Sequence, residues 1–201
     1  YLKNISSINK VYKGDIISDL TNFRVHSLEM EGLQLEKYKK AYELDTTGLI
    51  IMENEEEERA GLYNRSRQSI NAVYPDGSYG GNVGEISEGF SKYIKDNKFV
   101  SRYENEFGDI ENLKQFSIKY YDVIKSIESH DKMCHFVYSK LVNGSGIILL
   151  TLLLEKYLGY KRYNPKNVRA GELKTKEKRY ILLSSDTDSF MKNKLISEFN
   201  K

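Results

Sequence analysis

The sequence predicts an α/β protein: a partial parallel sheet flanked by helices over 111–201, preceded by a mixed region over 1–110. Three observations predict this. From Asp109 onward the pattern reads helix, strand, helix, strand, helix. Its two strands are short and apolar and are joined through a helix, which favours parallel pairing with a right-handed crossover. The composition, 39% hydrophobic and 30% charged over 201 residues, suits a globular chain with a core of ordinary size.

The elements follow in order. Residues 1 to 20 alternate weakly. Asn22 to Met30 alternates better, with Phe23, Val25 and Ser27 on one side and Arg24, His26 and Leu28 on the other, which predicts a strand. Glu31 to Leu44 has helical spacing at Leu33, Tyr38, Ala41 and Tyr42, and Asp45-Thr46-Thr47-Gly48 is expected to stop it. Glu53 and Glu55 to Glu58 form an acidic run. Consecutive carboxylates cannot converge from one helix face, so a solvated loop or helix end is expected rather than a metal site. Asn71 to Asp76 reads as a short extended piece and turn, and Gly77 to Gly84 as a mobile loop.

Ile110, Leu113, Phe116, Ile118, Tyr121, Ile124 and Ile127 lie on a helical stripe. Ser129 to Lys132 breaks it, and Met133 to Ser139 reads as a strand. Asn143-Gly144-Ser145-Gly146 forms a turn before an apolar helix from Ile147 to about Leu158, closed by Gly159. Tyr180 to Ser184 reads as a second buried strand, and Ser189 as the cap of a final helix carrying Phe190, Met191, Leu195, Ile196 and Phe199.

Composition also excludes function classes. With 31 Lys and Arg against 29 Asp and Glu, the net charge of +2 argues against a histone-like carrier. The longest apolar run, Ile147 to Leu154, is far short of the ~20 residues of a membrane helix, so no membrane partner is expected. The single cysteine, Cys134, excludes an internal disulfide framework and fits a reducing compartment. It adjoins His135, but neighbours on a strand face opposite sides, so the pair reads as structure rather than as nucleophile and base. No G-x-x-x-x-G-K-[ST], C-x-x-C, H-E-x-x-H or H-x-E pattern is present, and no catalytic or metal-ligating set is expected. Charge is uneven, however. Between Lys161 and Arg179 eight Lys and Arg face only Glu172 and Glu177, a local +6 that leaves −4 on the rest. Such a basic stretch, with Tyr160 and Tyr163 interleaved, suits a phosphate backbone; it suits a solvated surface loop equally well.

Several short elements carry a resemblance. Ser117-Ile118-Lys119, Tyr138-Ser139, Leu141-Val142 with Gly144 and Gly146, Leu149 to Leu154 and Gly159-Tyr160 occur in one order. They resemble the second RecA-like lobe of superfamily 2 helicases. The nearest subgroup is the one shared by poxviruses, other large nucleocytoplasmic DNA viruses and yeast linear plasmids. Its poxvirus members are the early transcription factor small subunit and the nucleoside triphosphate phosphohydrolase. Upstream, Met30, Gln34 and Tyr38 resemble its M-x-x-x-Q-x-x-x-Y element, and Ser66 to Pro75 resembles its S-R-x-x-x-N-F-V-F-P segment. Tyr180 to Thr187 and Lys194 to Asn200 match its next strand and helix, except that Ser185-Asp186 stands where a Gly-containing turn is usual.

The resemblance implies an ATP-dependent helicase segment: 1–110 the inter-lobe linker or insertion region, 111–201 the first half of the second RecA-like lobe. The phosphate loop and the Mg²⁺-holding acidic box would lie upstream of Tyr1 and an arginine-rich motif downstream of Lys201. ATP and Mg²⁺ would then bind only the full-length protein, and the chain is expected to be a fragment. Implied backbone contacts to one nucleic-acid strand fall on Tyr138, Ser139, Asn143, Gly144 and Ser145, with Asp186 and Thr187 as a second group. Asn143 and Ser145 read equally as caps of the following helix. Lys161, Arg162, Lys166, Arg169, Lys174 and Lys176 form the basic patch. Implied partners are single-stranded or duplex nucleic acid, the rest of the helicase chain and RNA polymerase, in a cytoplasmic viral factory or virion. The alternative is a non-catalytic α/β module that docks onto a transcription or replication partner.

Overall fold

The computed structural model describes residues 26–52, 64–81, 89–163, 178–184 and 187–199. The alternation over 1–20, Phe23 and Val25, the acidic run at 53–58, Gly84, Lys166, Arg169, Lys174, Lys176, Ser185 and Asp186 lie outside them.

The architecture is mixed α/β, rich in helix, with two small two-stranded sheets. Residues 26–30 form no strand, a correction to the described part of the expectation over Asn22 to Met30. Helix α1 runs Gly32–Met52, past the expected stop. The residues that signal a stop are engaged in other ways. The Thr46 hydroxyl donates back to the carbonyls of Tyr42 (2.8 Å) and Glu43 (3.0 Å) within the helix. Asp45 turns inward, and one carboxylate oxygen accepts from the Ser66 amide (2.8 Å) and hydroxyl (2.6 Å), capping α2 (Asn64–Asn71) from a different element.

Chain reversals at Tyr74–Ser78 lead to α3 (Gly89–Tyr93) and a hairpin of β1 (Ile94–Lys95) and β2 (Lys98–Phe99). Asp96 and Asn97, at φ 52° and 56°, make the two-residue turn whose twist matches the strands. A short α4 (Ser101–Glu104) follows, then 3-10 turns at Asn105–Phe107 and Asn112–Gln115. The predicted helix over Ile110 to Ile127 therefore begins later, as α5 (Ile118–Ser129). Ser117 caps it: its hydroxyl oxygen accepts from the Tyr120 amide at 3.0 Å.

Helix α6 (Ile147–Leu158) matches its predicted bounds and ends on Gly159 in the left-handed region, φ 69°. It is apolar nearly all round, so it must be covered on all sides. Ile148, Leu149, Leu150, Leu152, Leu153 and Leu154 are buried in one core with Tyr120, Ile124 and Ile127 of α5. Tyr74, Tyr93 and Phe107 join the same core as an aromatic cluster: Tyr74 and Tyr93 stack at 4.9 Å, and both meet Phe107 edge-on. Residues from both sides of position 110 thus share one core.

The predicted pairing of Met133–Ser139 with Tyr180–Ser184 is not formed. The one parallel ladder among the described residues joins β3 (Lys161–Arg162) to β4 (Arg179–Tyr180), Lys161 opposite Arg179. Met133–Ser139 forms no strand and is unpaired, and most of its side chains meet solvent: Phe136 is 91% exposed, Tyr138 79% and Met133 65%. Cys134 is exposed as well, not a core residue. Residues 181–184 are half-buried or exposed rather than a buried strand. The last helix, α7 (Ser189–Phe199), starts at Ser189, and its cap is Asp188, which accepts from the Met191 amide at 2.9 Å.

Burial raises the phenols of Tyr74 and Tyr120 well above their ordinary value near 10. It pushes Tyr157 up to about 12, with Asp109 adding to the effect. A raised folded-state value means the fold favours the protonated phenol. That contribution is complete below about pH 10, where unfolded tyrosine is also protonated. It is lost as pH rises through about 12. In an alkaline titration, the last part of the tyrosinate absorbance at 295 nm, that of the buried tyrosines, should therefore rise in step with loss of helical circular dichroism. Ionisation of all tyrosines near pH 10 with the helices intact would refute this.

Candidate nucleic-acid interface

The turn that leads into α6 is held from within. Gly146 donates to the Asn143 carbonyl (3.0 Å), Ile147 to Leu141 (2.9 Å) and Ile148 to Val142 (3.1 Å). The first amides of the helix are thus bonded to its own entry loop. Gly146 occupies the cap position and no side chain caps it, so neither Asn143 nor Ser145 fills the capping role.

Ser145 is fully buried. Its amide donates to Gln68 Oε1 (2.8 Å), its hydroxyl accepts from the Gly80 amide (3.3 Å), and its carbonyl accepts from the Tyr120 hydroxyl (2.7 Å). The Gly144 carbonyl accepts from the Tyr74 hydroxyl at 2.8 Å. Gly144 sits at φ 66°, and a β-carbon there would lie 2.6 Å from Gln68 Oε1 and 3.1 Å from the Gly80 α-carbon. Glycine is therefore required by conformation and by close approach together. The described half of the glycine-rich loop, Gly77–Gly81, takes part in this packing: the Gly80 carbonyl also accepts from Phe90 at 2.9 Å.

A second junction lies beside it. Gln34 on α1 is fully buried; its amide donates to the carbonyls of Ser69 and Ile70, each at 3.2 Å, and its oxygen accepts from the Ile118 amide at 3.0 Å. The Ser117 hydroxyl donates to the Asn71 carbonyl at 2.5 Å, and the Lys119 ammonium donates to Asn71 Oδ1 at 2.9 Å. The Val73 amide donates to the Phe116 carbonyl at 2.8 Å. Four sequence elements far apart in the chain, around 34, 66–75, 117–120 and 143–146, therefore meet in one buried polar junction.

The expected contact residues separate into two sets. Gly144 and Ser145 lie inside the junction. Tyr138, Asn143, Lys161 and Arg162 are exposed, and Ser139 is half-buried with its hydroxyl donating to Leu141 at 2.9 Å. Thr187 closes a small turn with Ser184. At the edge of β3 and β4 the cations rest on aromatic rings: Arg179 lies 5.4 Å from the Tyr163 ring centre and Lys178 5.9 Å from that of Tyr160. Among the described residues no group of three or more His, Cys, Asp or Glu could hold a metal ion, and no helix is long and apolar enough to cross a membrane.

Sequence reasoning passed over Tyr120, and placed Gln34, Gln68, Asn71 and Tyr74 only as members of short motifs. Polar residues on a helical pattern read as surface. Their sole signal was the recurrence of Gln34 and of Ser66 to Pro75 in the resemblance.

Similarity to known proteins supports a helicase-like family of viral proteins. The chain is 31% identical over 201 residues to the protein named Putative helicase 087L of Invertebrate iridescent virus 3, which covers 98% of this chain and 18% of that protein. It is 26% identical over 191 residues to Putative helicase 009L of Frog virus 3 (isolate Goorha), covering 94% of this chain and 16% of that protein. The chain thus spans less than a fifth of the length of these relatives. No family model matches it, and no solved structure matches it significantly.

Proposed function

We propose that this chain is one segment of an ATP-dependent helicase or translocase that acts in viral transcription and contributes the first half of a second RecA-like lobe. The observation that carries the reading is near-full-chain similarity to Putative helicase 087L and Putative helicase 009L, from two different viruses. In support, the motif residues of the resemblance converge: Gln34, Asn71, Ser117, Lys119 and Ser145 belong to the buried junction.

Among the described residues, the turn before α6 does not form a cradle for a nucleotide phosphate. The amides of Ser145, Gly146, Ile147 and Ile148 are bonded internally, and the chain carries no phosphate-loop lysine motif. No step through ATP or Mg²⁺ is assigned to this chain. Its part in the reading is to grip the sugar–phosphate backbone without reading bases. The grip falls on the exposed Tyr138, Asn143, Lys161 and Arg162, with Gly144 and Ser145 holding the loop rigid beneath.

The test is nucleic-acid-stimulated NTP hydrolysis and strand displacement by the natural full-length gene product, with binding to a fluorescent single strand followed against salt. Replacing Lys161 and Arg162 with Gln should weaken binding across sequences and reduce the log–log salt slope by about 1 to 2. Absence of both stimulated hydrolysis and salt-dependent binding would overturn the reading.

A further inference from the structure

The hairpin of β1 and β2 carries a charge pattern that folding alone does not favour. Ile94 pairs with Phe99 on one face, and Ile94 is buried in the core. Lys95 pairs with Lys98 on the other face, the two side chains directly opposite each other. Like charges in that position destabilise a ladder. Among the described residues, neither ammonium has an ion pair that would offset the repulsion. Lys95, Asp96, Asn97 and Lys98 are all exposed, and from Lys92 to Arg102 Asp96 is the one carboxylate among four cations.

The tip is held on a firm base. Tyr93, just before β1, is fully buried and stacks on Tyr74, whose hydroxyl donates to the Gly144 carbonyl in the turn before α6. The Val100 amide donates to the Tyr93 carbonyl at 2.9 Å, and Phe99 packs on the Phe107 ring. The packing that backs the turn at Asn143 thus also presents the two lysines. We propose that Lys95 and Lys98 form a second contact to the nucleic-acid backbone, on a different element from Lys161 and Arg162. This rests on the reading of the chain as a segment that acts on nucleic acid. A phosphodiester supplies the negative charge that relieves the repulsion, and phosphate contacts need no apolar anchor. An acidic protein is the other polyanion, but protein interfaces are built on aromatic and apolar anchors and are poor in lysine. The exposed tip offers no such anchor.

The test is binding of a fluorescent oligothymidylate to the natural full-length protein, followed against salt. Lys95→Gln with Lys98→Gln should weaken binding about 10-fold at about 0.1 M salt and lower the log–log salt slope by about 1 to 1.5. Lys95→Arg with Lys98→Arg should retain binding, and Asp96→Asn should tighten it. Lys39→Gln with Lys40→Gln removes the same charge from exposed positions on α1 and should change neither quantity. The Lys95 and Lys98 Gln pair should melt no lower than the parent, because a repulsion is removed. An unchanged slope in that pair overturns the inference, as does a lowered melting temperature, which would make the lysines structural. So does unchanged binding with association that grows with protein concentration, which would make them guards of an open strand edge. Polyglutamate bound in preference to oligothymidylate, and lost in the same pair, would make an acidic protein the partner. A parent protein that binds no oligothymidylate removes the helicase reading as well, whereas equal binding by parent and Gln pair removes only the hairpin contact.

Discussion

Replacing Gln34 with leucine is expected to lower stability by about 3 kcal/mol, measured as a shift in the midpoint of chemical denaturation. The side chain is fully buried and joins two helix ends. Its amide serves the carbonyls of Ser69 and Ile70 in the last turn of α2, which have no partner within that helix. Its oxygen serves the Ile118 amide, an orphan of the first turn of α5. Leucine matches the volume but leaves one buried and two part-buried backbone groups unpaired, and a buried group of this kind costs about 1–3 kcal/mol when counted alone. Gln34→Glu keeps an acceptor for Ile118 while losing the donor to α2, so it too should destabilise. A leucine variant within about 1 kcal/mol of the parent would show that these end groups find water or other partners.

Gly146→Ala should be at least as damaging, on the order of 3–4 kcal/mol. A β-carbon at that position would lie 2.3 Å from the Leu141 carbonyl oxygen, 2.5 Å from its carbon and 2.7 Å from the Asn143 oxygen. All three are backbone atoms, so no rotamer change relieves the clash. The turn must open, and the bonds from Ile147 and Ile148 to Leu141 and Val142 go with it. Gly159→Ala is the control at the other end of the same helix. There the backbone is left-handed, φ 69°, but nothing lies within 4 Å of a new β-carbon. Only the conformational cost of about 1–2 kcal/mol applies. Equal losses in the two variants would show that close approach at Gly146 is not what holds the turn.

How far the fold was legible depends on the range of the force that sets each element. The bounds of α6 could be read because they are local: an all-apolar run, a glycine before it and a glycine after it. The start of α5 was placed too early because Ile110, Leu113 and Phe116 follow the spacing of a 3-10 turn, which imitates a helical stripe. The stop expected at Asp45 failed because its carboxylate is bound to Ser66, twenty-one residues away in sequence. Strand pairing was misplaced because a ladder depends on the partner: the parallel pair forms between Lys161–Arg162 and Arg179–Tyr180, and the expected pair of Met133–Ser139 with Tyr180–Ser184 through α6 does not form. Of the candidate site, exposure separated Tyr138, Asn143, Lys161 and Arg162 from Gly144 and Ser145, a division no residue type announces.

The buried junction also imposes an order in time on a chain made from its N-terminus. The carbonyls that Gln34 holds belong to Ser69 and Ile70, so α1 and α2 can meet as soon as both have been synthesised. The amide of Ile118 comes 84 residues after Gln34, and that of Ser145 comes 77 after Gln68. Both glutamine oxygens must therefore wait for these donors while a long stretch of polypeptide is added. Only when α6 has left the ribosome can the junction close around its entry turn, so the most apolar helix of the chain is also the part that completes the polar lock.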